Sequence, residues 1–146
     1  MNDTVGMVLR QKGADVWTVG PSDSVYDAIT MMAERRVGAL LVMSGDELVG
    51  VISERDCARK IVLHDRSSRK TLVSEIMTAP VIFVSPEQTV GEAMGIMTEH
   101  RVRHLPVMQR GMLAGVISIG DLVNWMIMAQ RETIRHLEAY ISGSPR

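Results

Sequence analysis

The sequence predicts a mixed α/β (α+β) fold made of two copies of one strand–helix–strand–strand–helix unit. The first observation is an internal repeat: Gly50-Val51-Ile52-Ser53-Glu54-Arg55-Asp56 returns sixty-five residues later as Gly115-Val116-Ile117-Ser118-Ile119-Gly120-Asp121. The second is the alignment of the two copies, which holds the same separation without a gap through the helix and strand before the motif. Pro21, for example, matches Pro86. The third is hydrophobic periodicity, which switches between helical spacing and short apolar runs in the same order in both copies.

Repeats of roughly 60 residues would each be marginal as independent domains. We therefore expect the two copies to share one core and to pack through their sheets, related by a pseudo-two-fold axis.

Composition narrows the class of protein. The chain has 146 residues, 46% hydrophobic and 23% charged, with 12 Met and few aromatics, which is typical of a globular protein with an aliphatic and thioether interior. A net charge of −1 gives no general footprint for nucleic acid, and no apolar run approaches the ~20 residues of a membrane span. The N-terminus lacks the pattern of a signal peptide, and Cys57 has no partner for a disulfide. These features favour a cytoplasmic protein that binds neither nucleic acid nor membrane.

The first repeat is assigned to residues 5–65, including a lead-in with helical spacing of apolar residues. Residues 16–19 are predicted as a strand, and Gly20-Pro21-Ser22-Asp23 as the start of a helix with Pro at its first position. Residues 39–43 and 48–52 are predicted as the two strands of a hairpin. The expected buried face of the first helix consists of Val25, Ala28, Ile29, Met32 and Ala33. A second helix starts near Ser53 and is expected to bury Ala58, Ile61 and Val62.

The second repeat is assigned to residues 66–128 and follows the same order. A polar stretch joins the repeats, residues 73–77 form a short helical lead-in, and residues 81–84 are predicted as a strand. Ser85-Pro86-Glu87-Gln88 predicts a helix start with Ser as cap and Gln completing a capping box. The expected buried face of that helix consists of Val90, Ala93, Met94 and Met97. A hairpin is predicted from residues 105–108 and 113–117.

Residues 129–146 form a C-terminal helical extension and a frayed tail. The helix is predicted to run from Asp121 to about Tyr140, with Ile127, Ile134 and Ile141 recurring every seven residues and Leu137 between them. Such a stripe is explained equally well by folding back over the chain's own core and by packing on another subunit.

The repeated motif Gly-Val-Ile-Ser-x-x-Asp has two interpretations. As a site, Gly would let a ligand approach the backbone, the Ser and the helix start would favour phosphate, and the Asp would accept from a ribose diol. As structure, Ser-x-x-Asp at a helix start forms a capping box and needs no ligand. Duplication does not separate the two interpretations.

A second candidate is the basic stretch His100-Arg101-Val102-Arg103-His104, between a helix end and a buried strand. It could hold phosphates, or it could be a solvated helix C-terminus, where cations are favoured. In the first repeat Gly38 and Ala39 occupy the positions of Arg103 and His104, and this divergence suggests unlike ligand sites.

Signals for catalysis and for metal are missing from the sequence. It contains no phosphate-binding loop, nucleophile elbow, zinc-protease or redox motif, and no nucleophile beside a base. The four His and Cys57 match no zinc spacing. We therefore expect no catalytic residues and no metal ligands.

The tandem repeat, the two motif copies and the run Arg103-His104-Leu105-Pro106-Val107 resemble a CBS domain pair, or Bateman module. The resemblance covers about residues 5–128 and is to the stand-alone bacterial kind. It implies a regulatory module that binds an adenine nucleotide (AMP, ADP, ATP, NAD or NADH, sometimes S-adenosylmethionine) between the repeats. It also implies a flat, disk-like homodimer formed through helices.

The resemblance carries site residues over position by position. It implies that Asp56 and Asp121 bind ribose hydroxyls and that Ser53 and Ser118 lie near phosphate or ribose. The residues implied to bind phosphate are Arg101, Arg103 and His104, with Arg55 partly substituting in the first repeat. The residues implied near adenine are Val16, Thr18, Thr78 and Val81. The basic residues of the second repeat make the neighbourhood of Asp121 the first to test.

The leading hypothesis is a cytoplasmic, non-catalytic adenine-nucleotide sensor, a homodimer with two unlike clefts that acts on an unidentified effector protein. The alternative is a dimeric scaffold or interaction protein whose clefts are vestigial and whose caps are structural. An enzyme acting on nucleotides is a third possibility, for which the sequence supplies neither base nor metal.

Overall fold

The computed structural model describes residues 2–143 and confirms the mixed α+β architecture of two like repeats. The first repeat and its lead-in comprise α1 (Val5–Lys12), β1 (Thr18–Val19), α2 (Val25–Arg35), β2 (Ala39–Ser44), β3 (Glu47–Ser53) and α3 (Glu54–Cys57), which continues as a π-helical turn (Ala58–Val62). The second comprises α4 (Val73–Ile76), α5 (Val90–His100), β4 (His104–Gln109), β5 (Met112–Ser118) and α6 (Ile119–Ser142).

Both predicted hairpins are confirmed, while the strand that precedes each is shorter than predicted. β2 and β3 pair antiparallel, as do β4 and β5, and each pair has a register shift at the same place in the repeat. β1 pairs parallel with β2 but excludes Val16. The strand predicted over residues 81–84 is wrong except at Val84, which forms a single parallel bridge to Val107. Val81 lies instead against the cleft between the repeats.

Helices α2 and α5 begin four residues later than predicted. Their caps are Ser24 and Thr89, and Thr89 forms a capping box with Glu92. The proline stretches are turns: the Gln88 side chain accepts from the backbone N–H of Ser85 at 2.9 Å, before the helix rather than within it. The carbonyls of the two prolines accept N–H groups from the lead-in segments, so these turns are held by contacts outside the helices that follow them.

The buried helix faces are narrower than predicted. In α2 the side chains of Val25, Ala28 and Met32 are buried, whereas Ile29 is 38% exposed and Ala33 is also exposed. In α3 and its π-helical continuation, Cys57 and Ile61 are buried, whereas Ala58 and Val62 are exposed. The π-helical turn adds a residue to the turn, which rotates Val62 away from the core. In α5 the predicted face is confirmed, with Met94 half-buried.

The two repeats do not share one core, because each repeat forms its own cluster of buried side chains. The lead-in helix of each repeat is buried in the cluster of the other repeat. Val5 and Val8 of α1 are buried in the second cluster, and Val73 and Ile76 of α4 in the first. Matching backbone bonds hold the exchange, such as Val5 N–H to the Gln88 carbonyl at 2.8 Å.

This exchange explains the motif glycines. A Cβ at Gly50 would lie 2.5 Å from Met77 Sδ, and one at Gly115 would lie 2.6 Å from Leu9 Cδ1. The lead-in helix, rather than a ligand, therefore approaches the backbone at these positions, and the ligand interpretation of the glycines is wrong.

Helix α6 packs on α1 and then extends beyond the repeat. Trp125 Nε1 donates to Asp3 Oδ2 at 2.6 Å, and Gln11 Nε2 contacts Met128 Sδ at 3.6 Å. Further along α6, Ile134 is 53% and Ile141 is 82% exposed. The interpretation that the stripe folds back over the chain's own core is therefore wrong for this part of the helix. The tail predicted over residues 142–146 lies outside the described residues from position 144 onward. Within residues 2–143, no helix combines the length and apolarity needed to cross a membrane.

Candidate functional site

The motif serine and aspartate form a capping box in both repeats. Ser53 N–H donates to Asp56 Oδ2 at 3.0 Å, and Asp56 N–H donates to Ser53 Oγ at 3.1 Å. The corresponding distances for Ser118 and Asp121 are 2.8 and 3.2 Å. The structural interpretation of the motif is thus confirmed in both copies. A carboxylate has about four lone-pair sites, so a cap does not exhaust its capacity to accept.

A cleft between the repeats encloses a cavity of about 860 Å³. That volume lies within the usual range for small-molecule sites, roughly 300–1,000 Å³. Of the sequence-predicted site residues it brings together Ser53, Arg55, Asp56, Thr78, Val81, Arg101, Arg103 and His104. Its lining does not include Val16, Thr18, Ser118 or Asp121. The lining also includes Gly38, His100 and Val102, which the sequence analysis had singled out around the basic stretch. Sequence reasoning missed the remaining lining residues: Val51, Glu54, Ala58, Arg59, Lys60 and Ile82.

Asp56 lies at the first-repeat wall of this cleft, with a carboxylate only 13% exposed. Thr78 Oγ1 donates to Asp56 Oδ1 at 3.2 Å, and Lys60 Nζ lies 3.2 Å from the same oxygen. Thr78 is fixed by two backbone bonds with Val51, of 2.8 and 3.1 Å. Three elements, α3, its π-helical continuation and the segment after α4, therefore converge on one carboxylate.

The second-repeat wall of the cleft is basic. Arg101 ends α5 in the left-handed conformation, with φ 55° and ψ 42°. Arg55 Nη1, from the opposite repeat, donates to the Arg101 carbonyl at 3.4 Å. Arg103 follows, and His104 opens β4. The cleft thus has the Asp56 carboxylate with Arg55 and Arg59 in its first-repeat wall, and the guanidinium groups of Arg101 and Arg103 in its second-repeat wall.

His104 lies where the two repeats meet. A Cβ at Gly38 would be 3.4 Å from both Cε1 and Nε2 of His104, so Gly38 leaves room for the ring. Packing across the repeats therefore accounts for the small residue at position 38. Burial lowers the pKa of His104, as do the charges of Lys12 and Arg103, while Asp121 opposes them. The imidazole is accordingly neutral at pH 7.

The Asp121 end of the module is built differently. Lys12 Nζ donates to Asp121 Oδ2 at 2.6 Å and to the Val116 carbonyl at 2.7 Å. In the Asp56 cleft the corresponding acceptors, Asp56 and the Val51 carbonyl, are satisfied by the hydroxyl and the backbone N–H of Thr78. At the Asp121 end, the Lys12 ammonium group thus takes the place of the two donors that Thr78 supplies in the Asp56 cleft.

Lys12 reaches this position because α1 is a turn longer than α4. Burial would raise the pKa of Asp121, but hydrogen bonds from Lys12 and from the Ser118 backbone outweigh it and hold that pKa below its ordinary value. Sequence reasoning missed Lys12. The available signal was the number of residues that separates matching positions of the two copies. This number is three greater in the lead-in segments than from β1 onward.

The expectation that Asp121 is the first aspartate to test needs correction. Arg101 and Arg103 line the cleft of Asp56, whose lining does not include Asp121. The reason is the pseudo-two-fold arrangement, which places the basic residues of one repeat opposite the motif aspartate of the other.

Two like units, each with a helix, a β-hairpin and a following helix, that exchange lead-ins around such a cleft define a CBS domain pair. The CBS domain family model matches residues 5–63 and again 73–128, so the chain belongs to this family.

Known proteins agree with that assignment. A protein with CBS domains from Burkholderia ambifaria MC40-6, assigned to signal transduction, is 53% identical, with a TM-score of 0.84 over 87% of this chain and 96% of that one. CBS domain-containing protein CBSX3, mitochondrial, from Arabidopsis thaliana is 42% identical over 96% of this chain and 72% of its own length. A hexameric CBS-CP12 protein from bloom-forming cyanobacteria is 26% identical, with a TM-score of 0.76 over 96% of this chain and 84% of that one. CBS domains are generally regulatory modules rather than enzymes.

Proposed function

We propose that this CBS domain pair is a non-catalytic, cytoplasmic sensor that binds an adenine nucleotide, AMP, ADP, ATP or NAD(H), in the Asp56 cleft. The observation that carries the proposal is the composition of one cavity. It joins Asp56 and the hydroxyls of Ser53 and Thr78 to the guanidinium groups of Arg101 and Arg103.

Each part of a nucleotide has a matching group in the cleft. Asp56 accepts from the ribose hydroxyls, since a carboxylate can accept from two neighbouring donors. Val81 and Ile82 offer an apolar surface to adenine, and arginine binds phosphate through paired N–H groups. Because these groups belong to both repeats, a bound nucleotide bridges them. It shifts their relative packing as far as its affinity differs between the two arrangements, and an effector protein responds to that shift.

A thermal-shift series tests the proposal. A saturating adenine nucleotide is expected to raise the melting temperature by about 9 °C, the size expected for a ligand at 100 times its Kd. Asp56→Asn should abolish that shift, whereas the matched variant Asp121→Asn should retain it. The absence of any shift at millimolar concentration, together with no nucleotide in mass spectrometry of molecules released from the purified protein, would refute the proposal.

We also propose that the sensor is a homodimer that uses the exposed stripe of α6. Ile134, Leu137 and Ile141 are 53%, 57% and 82% exposed on a helix that has left its own core. Their spacing is that of a helix–helix seam. A hexameric protein among the structural neighbours supports assembly as a property of this architecture.

A second candidate function is a scaffold that binds no ligand. The observation favouring it is that both motif aspartates already have structural partners, Ser53 with Lys60 and Ser118 with Lys12. Nucleotide that co-purifies with the protein favours the sensor, whereas a stable dimer with empty clefts favours the scaffold.

A further inference from the structure

The lining of the Asp56 cleft carries a surplus of positive charge. Its permanent cations are Arg55, Arg59, Lys60, Arg101 and Arg103, and its carboxylates are Glu54 and Asp56. The whole chain, by contrast, has a net charge of −1. Lys60 pairs with Asp56 at 3.2 Å. Four guanidinium groups then face a single remaining carboxylate.

Among the described residues, no carboxylate neutralises these four arginines. Across residues 2–143, no carboxylate oxygen lies within 4.0 Å of the guanidinium nitrogens of Arg55, Arg59, Arg101 or Arg103. Like charges gathered in a cleft repel one another and raise the local potential, which attracts anions. A single phosphate brings about two negative charges, and each further phosphate in a chain adds about one. A polyphosphate therefore matches the surplus better than a monophosphate does.

The backbone at Arg101 gives an independent reason to look at this side chain. Arg101 adopts φ 55°, a left-handed conformation that glycine adopts more readily than a residue with a Cβ. Its counterpart in the first repeat, Arg36, has the same φ but does not line this cleft. Replacing either residue by glycine removes a guanidinium group and relaxes the backbone. The two positions therefore form a matched pair for experiment.

We propose that the Asp56 cleft selects nucleoside di- and triphosphates over monophosphates, with Arg101 and Arg103 binding the terminal phosphates and Arg55 supporting them from the other repeat. This inference rests on the proposed function and names the class of nucleotide that the site takes. The contact between Arg55 and the Arg101 carbonyl places the basic groups of both repeats at one end of the cleft.

Titration calorimetry with adenosine, AMP, ADP and ATP tests the selection, in EDTA buffer and with inorganic tripolyphosphate as a further probe. We expect affinity to rise along the series, ATP binding at least tenfold more tightly than AMP in 50 mM salt. We expect the ratio to shrink in 500 mM salt, because screening weakens exposed charge interactions. Arg101→Gly should lose most of the preference for ATP. Arg36→Gly should keep it, and neither variant should melt below the wild-type protein.

The outcomes separate this inference from the proposed function. If AMP binds as tightly as ATP, or if Arg101→Gly and Arg36→Gly behave alike, the selection is refuted while nucleotide binding stands. If tripolyphosphate binds in an Arg101-dependent way and no adenine compound does, the anion site stands but the nucleotide proposal falls. If none of the probes binds, both are refuted.

Discussion

The imidazole ring of His104 lies against Gly38 of the opposite repeat, with Cε1 and Nε2 both 3.4 Å from the place a Cβ would take. The missing side chain in one repeat and the ring in the other are therefore one packing arrangement. The same contact places the start of β4 against the first repeat, beside the cleft that contains Asp56.

We expect Gly38→Val to displace the His104 ring and to lower the free energy of unfolding by about 1–3 kcal/mol, the usual cost of overpacking. Urea unfolding measures the change. Gly95→Ala is the control, because a Cβ there meets nothing within 4 Å and alanine favours a helix by up to ~1 kcal/mol. Wild-type stability in Gly38→Val would show that the ring can move freely.

Alanine at the motif glycines should destabilise the two repeats unequally. Gly115→Ala places a methyl 2.6 Å from Leu9 Cδ1, and Gly50→Ala places one 2.5 Å from Met77 Sδ. Methionine is unbranched and adapts more readily than leucine. We therefore expect Gly115→Ala to cost about 1–3 kcal/mol of unfolding free energy and Gly50→Ala less. Adding Leu9→Ala should recover part of the loss in Gly115→Ala, and a strictly additive double variant would contradict this explanation.

Removal of the Lys12 ammonium should weaken the fold in a pH-dependent way. The pKa of Asp121 is lower in the folded protein than the ordinary carboxyl value of about 3.9. A depressed pKa contributes stability that is present above the unfolded value and is lost as pH falls through the folded value. We expect Lys12→Met to cost about 1 kcal/mol above pH 5, as for a partly exposed ion pair, and the gap from wild type to narrow below about pH 4.

Denaturant unfolding at pH 6 and pH 3 measures that gap. The control is Lys70→Met, an exposed lysine that does not line the Asp56 cleft, for which we expect a change within about 0.5 kcal/mol at either pH. If Lys12→Met lowers the free energy of unfolding by the same amount at both pH values, the ion pair with Asp121 is not the source of the loss.

The thiol of Cys57 should be inert in the folded protein. Burial, together with the neighbouring charges of Asp56 and Glu54, raises the pKa of Cys57 to about 11. Because the thiolate is the reactive form, we expect its reaction with a disulfide reagent at pH 8 to be at least ~100-fold slower than in the unfolded chain. Equal rates for native and urea-unfolded protein would contradict the buried position of this side chain.

An acidic residue in the stripe of α6 should separate the proposed dimer. We expect Leu137→Asp to convert a dimer into a monomer of 16.1 kDa, measured by light scattering after size exclusion. The charge-matched control is the neighbouring variant His136→Asp, which lies outside the stripe and should remain a dimer. A wild-type protein that is already monomeric at high concentration would refute the use of this helix face.

The repeat was sufficient to predict both hairpins and the helix starts after Ser53 and Ser118, because these depend on local sequence. Prediction was weaker for Asp56 and Asp121, whose partners come from distant segments. Lys12 belongs to a lead-in helix whose register differs from that of the rest of the repeat, so alignment of the copies could not place it beside Asp121. The starts of α2 and α5 were misplaced because proline with Ser, Asp or Gln is compatible both with a helix start and with the turn that precedes one.

The exchange of α1 and α4 bears on how such a chain could arise. A polypeptide with one copy of this repeat would have a lead-in helix but no second repeat for that helix to pack against. The apolar side chains of the lead-in helix could then be buried only against another molecule. Duplication and fusion of the copies would turn that exchange between chains into contacts within one chain. By the same reasoning, a fragment cut between the repeats takes with it a helix that belongs to the other half, and we expect neither fragment to fold without its counterpart.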